Sequence, residues 1–85
     1  ASDNDITNQV MALSNLSLTY QQLGEWQAAT EVINKSVSLL SNTSDARVQA
    51  QTVDIQGKLQ LAKGDLNAAL NSWQKSASIY NNISD

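Results

Sequence analysis

The sequence predicts an all-α protein of four helices arranged as two antiparallel hairpins, and three features of the chain carry that prediction. Apolar residues recur at intervals of three and four through four successive stretches, which is the period of a helix face and not of a strand. Proline, which would interrupt a helix, is absent from all 85 residues. The segment Gly24-Glu25-Trp26-Gln27-Ala28-Ala29 returns 40 residues later as Gly64-Asp65-Leu66-Asn67-Ala68-Ala69. A Gly-acidic-apolar-x-Ala-Ala core at a fixed offset is an internal repeat, and a period of this length marks a stacked helical unit.

The first helix is expected to start near Asp3, because Ser2-Asp3-Asn4-Asp5 supplies capping side chains and acids for the positive end of the helix dipole. Ile6, Val10, Leu13, Leu16, Tyr20 and Leu23 then form one stripe, and Gly24 follows as the residue that can take the left-handed conformation closing a helix. A second helix runs from about Glu25, with Trp26, Ala29, Ile33, Val37 and Leu40 on the face turned to the first. The dense run Ser41-Asn42-Thr43-Ser44-Asp45 separates one hairpin, about residues 3–41, from the next, about 44–82.

The third helix, about 45–63, carries apolar residues on two sides: Val48, Thr52, Ile55, Leu59 and Ala62 on one, Val53, Gly57 and Leu61 on another. A helix apolar on two sides has two neighbours. Gly57 in its middle costs about 1 kcal/mol of helix propensity, a cost explained if another helix approaches closely there. Gly64 closes this helix as Gly24 closes the first. The fourth helix, about 66–81, is expected to pack Leu66, Ala69, Trp73, Ala77 and Tyr80 inward, leaving Leu70, Ile79 and Ile83 outside.

Composition narrows the function. With no cysteine and no histidine, these residues contain no imidazole-activated nucleophile, no disulfide, and almost no capacity for zinc, copper or haem ligation, so no metal or cofactor is expected. The formal charge of −3, with Arg47 as the single arginine, argues against nucleic acid as a partner. No apolar run approaches the ~20 residues of a membrane-spanning helix. The absence of cysteine leaves the redox compartment open, with the cytoplasm as the working expectation. Because the chain starts at Ala1 and not at Met, a segment of a longer repeat array is expected.

Ser72-Trp73-Gln74-Lys75 matches the Ser-x-x-Lys pattern of penicillin-recognising enzymes, and Ser2-Asp3-Asn4 matches a second motif of that class. The order along the chain is wrong and a Lys-Thr-Gly motif is missing, so a Ser/Lys enzyme fragment is the remote alternative and no catalytic residue is expected.

These residues resemble the tetratricopeptide repeat, whose unit is a helical hairpin with small residues where the helices cross. Leu13, Leu16, Ser17 and Tyr20 match its first-helix series, Gly24 its turn, and Ala29, Ile33 and Ser36 its second-helix series. In the second hairpin Val53, Gly57, Gly64, Ala69, Trp73 and Ser76 are in register, with Gln56 and Gln60 where Leu and an aromatic are usual. Repeats of this longer period are similar to those of large bacterial multidomain proteins, some with a caspase-like CHAT peptidase domain.

The resemblance implies an α-α superhelix that binds a protein or peptide on a concave face. Projected onto this chain, that face consists of Met11, Ser14, Leu18, Gln21 and Gln22 from the first helix and Gln51, Asp54, Lys58 and Leu61 from the third. Lys58 stands alone as a cation there, which disfavours carboxylate-tail ligands. The alternative architecture is a closed four-helix bundle with a purely structural role. Leu70, Ile79 and Ile83 are expected to drive weak self-association, as a two-fold dimer or an end-to-end stack.

If Gly24 and Gly64 close helices with positive φ, replacing either by Ala will lower stability by about 1 kcal/mol. Thermal melts check this, and two variants melting at or above the parent temperature would refute the proposed repeat register.

Overall fold

The computed structural model describes residues 3–84. Four helices follow one another: α1 over Asp3–Gln22, α2 over Trp26–Ser38, α3 over Ala46–Ala62 and α4 over Leu66–Ser84, with a 3₁₀ turn at Leu40–Asn42 between α2 and α3. No strand occurs among the described residues, and the class is all-α as expected. Ser2, the first of the anticipated capping residues, lies outside the described residues. The helix bounds differ from expectation chiefly where α2 stops at Ser38 and where α4 continues to Ser84.

Both hairpin turns are built alike. Gly24 and Gly64 take φ of 75° and 86°. The Glu25 N–H donates to the Tyr20 carbonyl at 2.8 Å and the Gly24 N–H to Gln21 at 3.1 Å; Asp65 to Gln60 and Gly64 to Leu61, both at 2.9 Å, repeat the pattern. These paired bonds satisfy the last carbonyls of α1 and α3 in a Schellman closure, which requires the left-handed residue. A Cβ on either glycine would meet nothing within 4 Å, so the requirement is conformational. The following helices differ in their starts. Asp65 Oδ1 accepts from the Ala68 N–H at 3.1 Å, whereas Glu25 makes no side-chain cap. Asp45 caps α3 by accepting from the Arg47 and Val48 N–H groups.

α3 joins the two halves. It packs along α4 and also against α1 and α2, while α4 packs extensively only on α3. α1, α2 and α3 are in mutual contact and α4 lies against α3, giving principal extents of 32 × 28 × 17 Å. One side of α3 enters a core of Ala29, Ile33, Ile55 and Leu59, flanked by Leu18, Tyr20 and Val37. Val53 and Ala50 on the same helix are also buried, in keeping with its two-sided pattern.

The contacts inside the hairpins are made by small residues. Ala29 and Ala69 are fully buried, as are Ser17, Ser36 and Thr52. Small side chains allow helix axes to approach to about 8 Å, and the hydroxyls then find backbone carbonyls across the gap. Ser36 donates to the Val10 carbonyl at 3.1 Å. Ser76 donates to the Ala50 carbonyl at 2.9 Å, so donor and acceptor have both moved by the repeat offset. Among the described side chains no buried polar atom lacks a partner.

One position pair differs between the halves. In the first hairpin Ser17 donates to the Ala29 carbonyl at 2.8 Å beside Ile33. In the second the corresponding residues are Gly57, Ala69 and Trp73, and a Cβ on Gly57 would lie 2.7 Å from Trp73 Nε1. Gly57 makes room for an indole, so the close neighbour expected at this glycine is the Trp73 ring.

The expected facing of several residues is corrected by the structure. On α1 the buried residues are Thr7, Val10, Ser14 and Ser17, while Leu16 and Leu23 are exposed. Thr7 and Thr43 share a hydroxyl–hydroxyl bond that ties α1 to the α2–α3 connection. On α4 the buried residues are Ala69, Ser72 and Ser76, with Leu66, Leu70, Ala77 and Tyr80 exposed. Ile79 and Ile83 are half-buried, so of the three residues expected outside the fourth helix only Leu70 is exposed. For the exposed leucines and Tyr80 the reason is that close helix contact selects small residues for the interface and leaves bulky side chains at its edges.

Exchange between the two solutions tests this equivalence. Gly57→Ser alone should cost roughly 1 to 3 kcal/mol by overpacking against Trp73. Combined with Trp73→Ile, which recreates the first-hairpin pair, it should cost less than the sum of the single changes. Urea denaturation of the four proteins decides; strict additivity would mean that residues 57 and 73 do not share one space.

Candidate functional site

The groove between α1 and α3 is where sequence-selected residues converge. Its two walls follow helical spacing. An open cleft of about 230 Å³ is lined by Asn15 and Leu18 from α1 and by Gln51, Asp54, Ile55 and Lys58 from α3. Four residues of the projected concave face, Leu18, Gln51, Asp54 and Lys58, are thus brought together around one opening. Asp54 and Lys58 form an ion pair at 3.7 Å on the outer rim, one turn apart on α3, with both side chains substantially exposed. Met11 and Gln22 are exposed one turn to either side of the α1 wall, and Leu61 is exposed toward the end of α3.

Two projected residues have other roles. Ser14 is 3% exposed, and its Oγ lies 2.7 Å from Ser36 Oγ and 2.8 Å from Thr52 Oγ1, where it links three helices. Gln21 is half-buried, and its amide donates to Ser17 Oγ at 3.4 Å and to the Ile55 carbonyl at 3.3 Å. Both belong to the contact beneath the groove. Asn15, not selected from the sequence, takes the wall position instead, one helical step of about 100° from Ser14. The signal was present, since Met11, Asn15, Leu18 and Gln22 are spaced by four, three and four.

A second opening, about 420 Å³, lies between the start of α2 and the end of α3 and is lined by Trp26, Gln27, Thr30, Glu31 and Lys63. Trp26 is 45% exposed here, which corrects its expected place in the core. As the first residue of α2 it sits at the rim, beyond the Ala29 contact. Lys63 Nζ donates to Thr30 Oγ1 at 3.1 Å across the opening.

Ser72 and Lys75, the pair matching an enzyme motif, face different surroundings. The Ser72 hydroxyl donates to Gln60 Oε1 at 2.6 Å in the α3–α4 contact. Lys75 lines a separate cleft with Leu40, Ser41, Gln49, Val53 and Ile79. Gln60, which stands where the resemblance calls for an aromatic, is therefore matched to a serine on the facing helix. Among the described residues no group of three or more Asp or Glu side chains is placed to hold a metal ion, and no helix is long and apolar enough to cross a membrane.

Comparisons with protein-family models, with curated proteins and with solved structures each find no match. The tetratricopeptide resemblance stands on the residues and the repeat alone.

Proposed function

We propose that this chain is a non-enzymatic, tetratricopeptide-like interaction segment that holds a protein or peptide in the groove between α1 and α3. The observation that carries the reading is the cleft that gathers Leu18, Gln51, Asp54 and Lys58 from two helices far apart in sequence. Leu18 and the edge of Ile55 offer an apolar floor. Gln51, Asn15 and the Asp54–Lys58 pair supply donors and acceptors around it. Such a mixture, a small apolar centre with a polar rim, suits a peptide side chain anchored among backbone hydrogen bonds. An open, stacking architecture is supported over a closed bundle because α3 touches all three other helices whereas α4 packs extensively on α3 and on no other helix. In a longer array the same groove would extend from repeat to repeat.

The test is selection of peptides from a displayed random library, followed by amide chemical-shift mapping with the best binder. Shifts are expected to cluster at Met11, Asn15, Leu18, Gln22, Gln51, Asp54 and Lys58. Leu18→Asp should weaken binding by tenfold or more and also lower the thermal melt, because Leu18 packs against the core, whereas Gln51→Ala, at an exposed wall residue, should weaken binding while leaving the melt within a few degrees. Shifts centred on Trp26 and Lys63, or indifference of the selected peptides to Leu18→Asp, would overturn the assignment.

A further inference from the structure

The outer flank of α4 presents an apolar stripe that the rest of the chain leaves exposed. Leu66 (54% exposed), Leu70 (46%), Ala77 and Tyr80 (41%) lie along it, with the half-buried Trp73 at its centre. Their spacing of four, three, four and three makes one continuous line over about 21 Å of helix. No charge lies on it. Lys75, the one charged side chain of α4, lines the cleft with Leu40, Val53 and Ile79.

The repeat shows what such a flank does. Shifted back by 40 residues, the stripe falls on Trp26, Thr30, Ile33, Val37 and Leu40 of the first hairpin. There Ile33 and Val37 pack with Ile55 and Leu59 of α3, and Thr30 accepts from Lys63. This flank of the hairpin is therefore the one that receives a further helix, and on the second hairpin it receives none among the described residues.

Two features select a second copy of this chain, in a two-fold arrangement, as the occupant. An end-to-end stack would require α1 to dock as α3 does, but where α3 has Val48, Thr52, Ile55 and Leu59, α1 has Asn8, Ala12, Asn15 and Thr19. Buried amides without partners would cost more than such a contact returns. The α4 stripe, in contrast, is close to self-complementary about Trp73. With two copies antiparallel, Leu66 meets Tyr80 of the second copy, and Leu70 meets Ala77, bulk against a small residue. The flanking Asn67, Asn71 and Gln74 are uncharged, so no like-charge pair opposes the approach.

We infer that the protein forms a two-fold dimer by antiparallel packing of α4 through Leu66, Leu70, Trp73, Ala77 and Tyr80. This surface is separate from the α1–α3 groove, so the peptide-binding reading and the dimer can fail independently.

Sedimentation equilibrium from about 10 µM to 1 mM tests the association. The mass is expected to rise toward two chains, with Leu70→Gln raising the dissociation constant about tenfold or more. Because Leu70 is exposed, its variant should retain the parent's thermal melt at low concentration. Orientation is read by oxidation, since the chain has no cysteine of its own. A mixture of Leu66→Cys and Tyr80→Cys proteins should form the mixed disulfide dimer, while each alone should not, because like positions would be about 21 Å apart and a disulfide needs Cα atoms within about 7 Å. A monomer throughout the range, a dimer indifferent to Leu70→Gln, or ready self-crosslinking of Leu66→Cys would each overturn the inference.

Discussion

The fold depends on three hydroxyls buried where α1, α2 and α3 meet. Ser14 touches both Ser36 and Thr52, and Ser36 also donates to the Val10 carbonyl. In an interior that excludes water these groups have only each other and the backbone for partners, and a lost partner costs about 1 to 3 kcal/mol. The cluster can form only with the helices at one separation and one register. It therefore sets the position of α3 on the first hairpin, and with it the spacing of the Leu18 and Gln51–Lys58 walls of the groove.

The second hairpin keeps this scheme and changes its filling. Ser76 repeats the Ser36 bond to backbone, and Gly64 repeats the Gly24 turn. At the next contact the pair Ser17 and Ile33 is replaced by Gly57 and Trp73. Ser72 and Gln60 form a polar pair at the positions held by Val32 and Tyr20 in the first hairpin. Each exchange keeps the local volume or hydrogen bonding balanced, which is why two hairpins with few identical residues can share one geometry.

Helix number, order and turns were legible in the sequence because each rests on local chemistry: Gly24 and Gly64 for closure, the Ser41-Asn42-Thr43-Ser44-Asp45 run for the connection between hairpins, apolar periodicity for the spans. Burial on α4 was not. Ala69 was placed inward and is buried, but Leu66 and Tyr80 were placed there too and are exposed, since at a close helix contact small residues such as Ser72 and Ser76 fit and a leucine does not. Trp26 was misplaced for a related reason: its hydrophobicity suggested the core, but its position at the first residue of α2 puts it at an edge. Of the face projected from the resemblance, Gln51, Asp54 and Lys58 of α3 line one cleft with Leu18, while Ser14 and Gln21 of α1 make their bonds beneath the surface.

The buried hydroxyl cluster lies beside aliphatic residues that are equally buried, Val10, Ile33 and Val53 among them, and a double-mutant cycle on Ser36→Ala and Thr52→Val measures what the cluster contributes most directly. Both residues bond the same Ser14 hydroxyl, so their effects cannot be independent if the cluster exists. Each change is expected to lower the free energy of unfolding in urea by about 1 to 2 kcal/mol, and the double variant to depart from the sum by about 0.5 kcal/mol or more. Two single changes that leave stability intact, or a double variant that is additive within about 0.3 kcal/mol, would contradict that expectation.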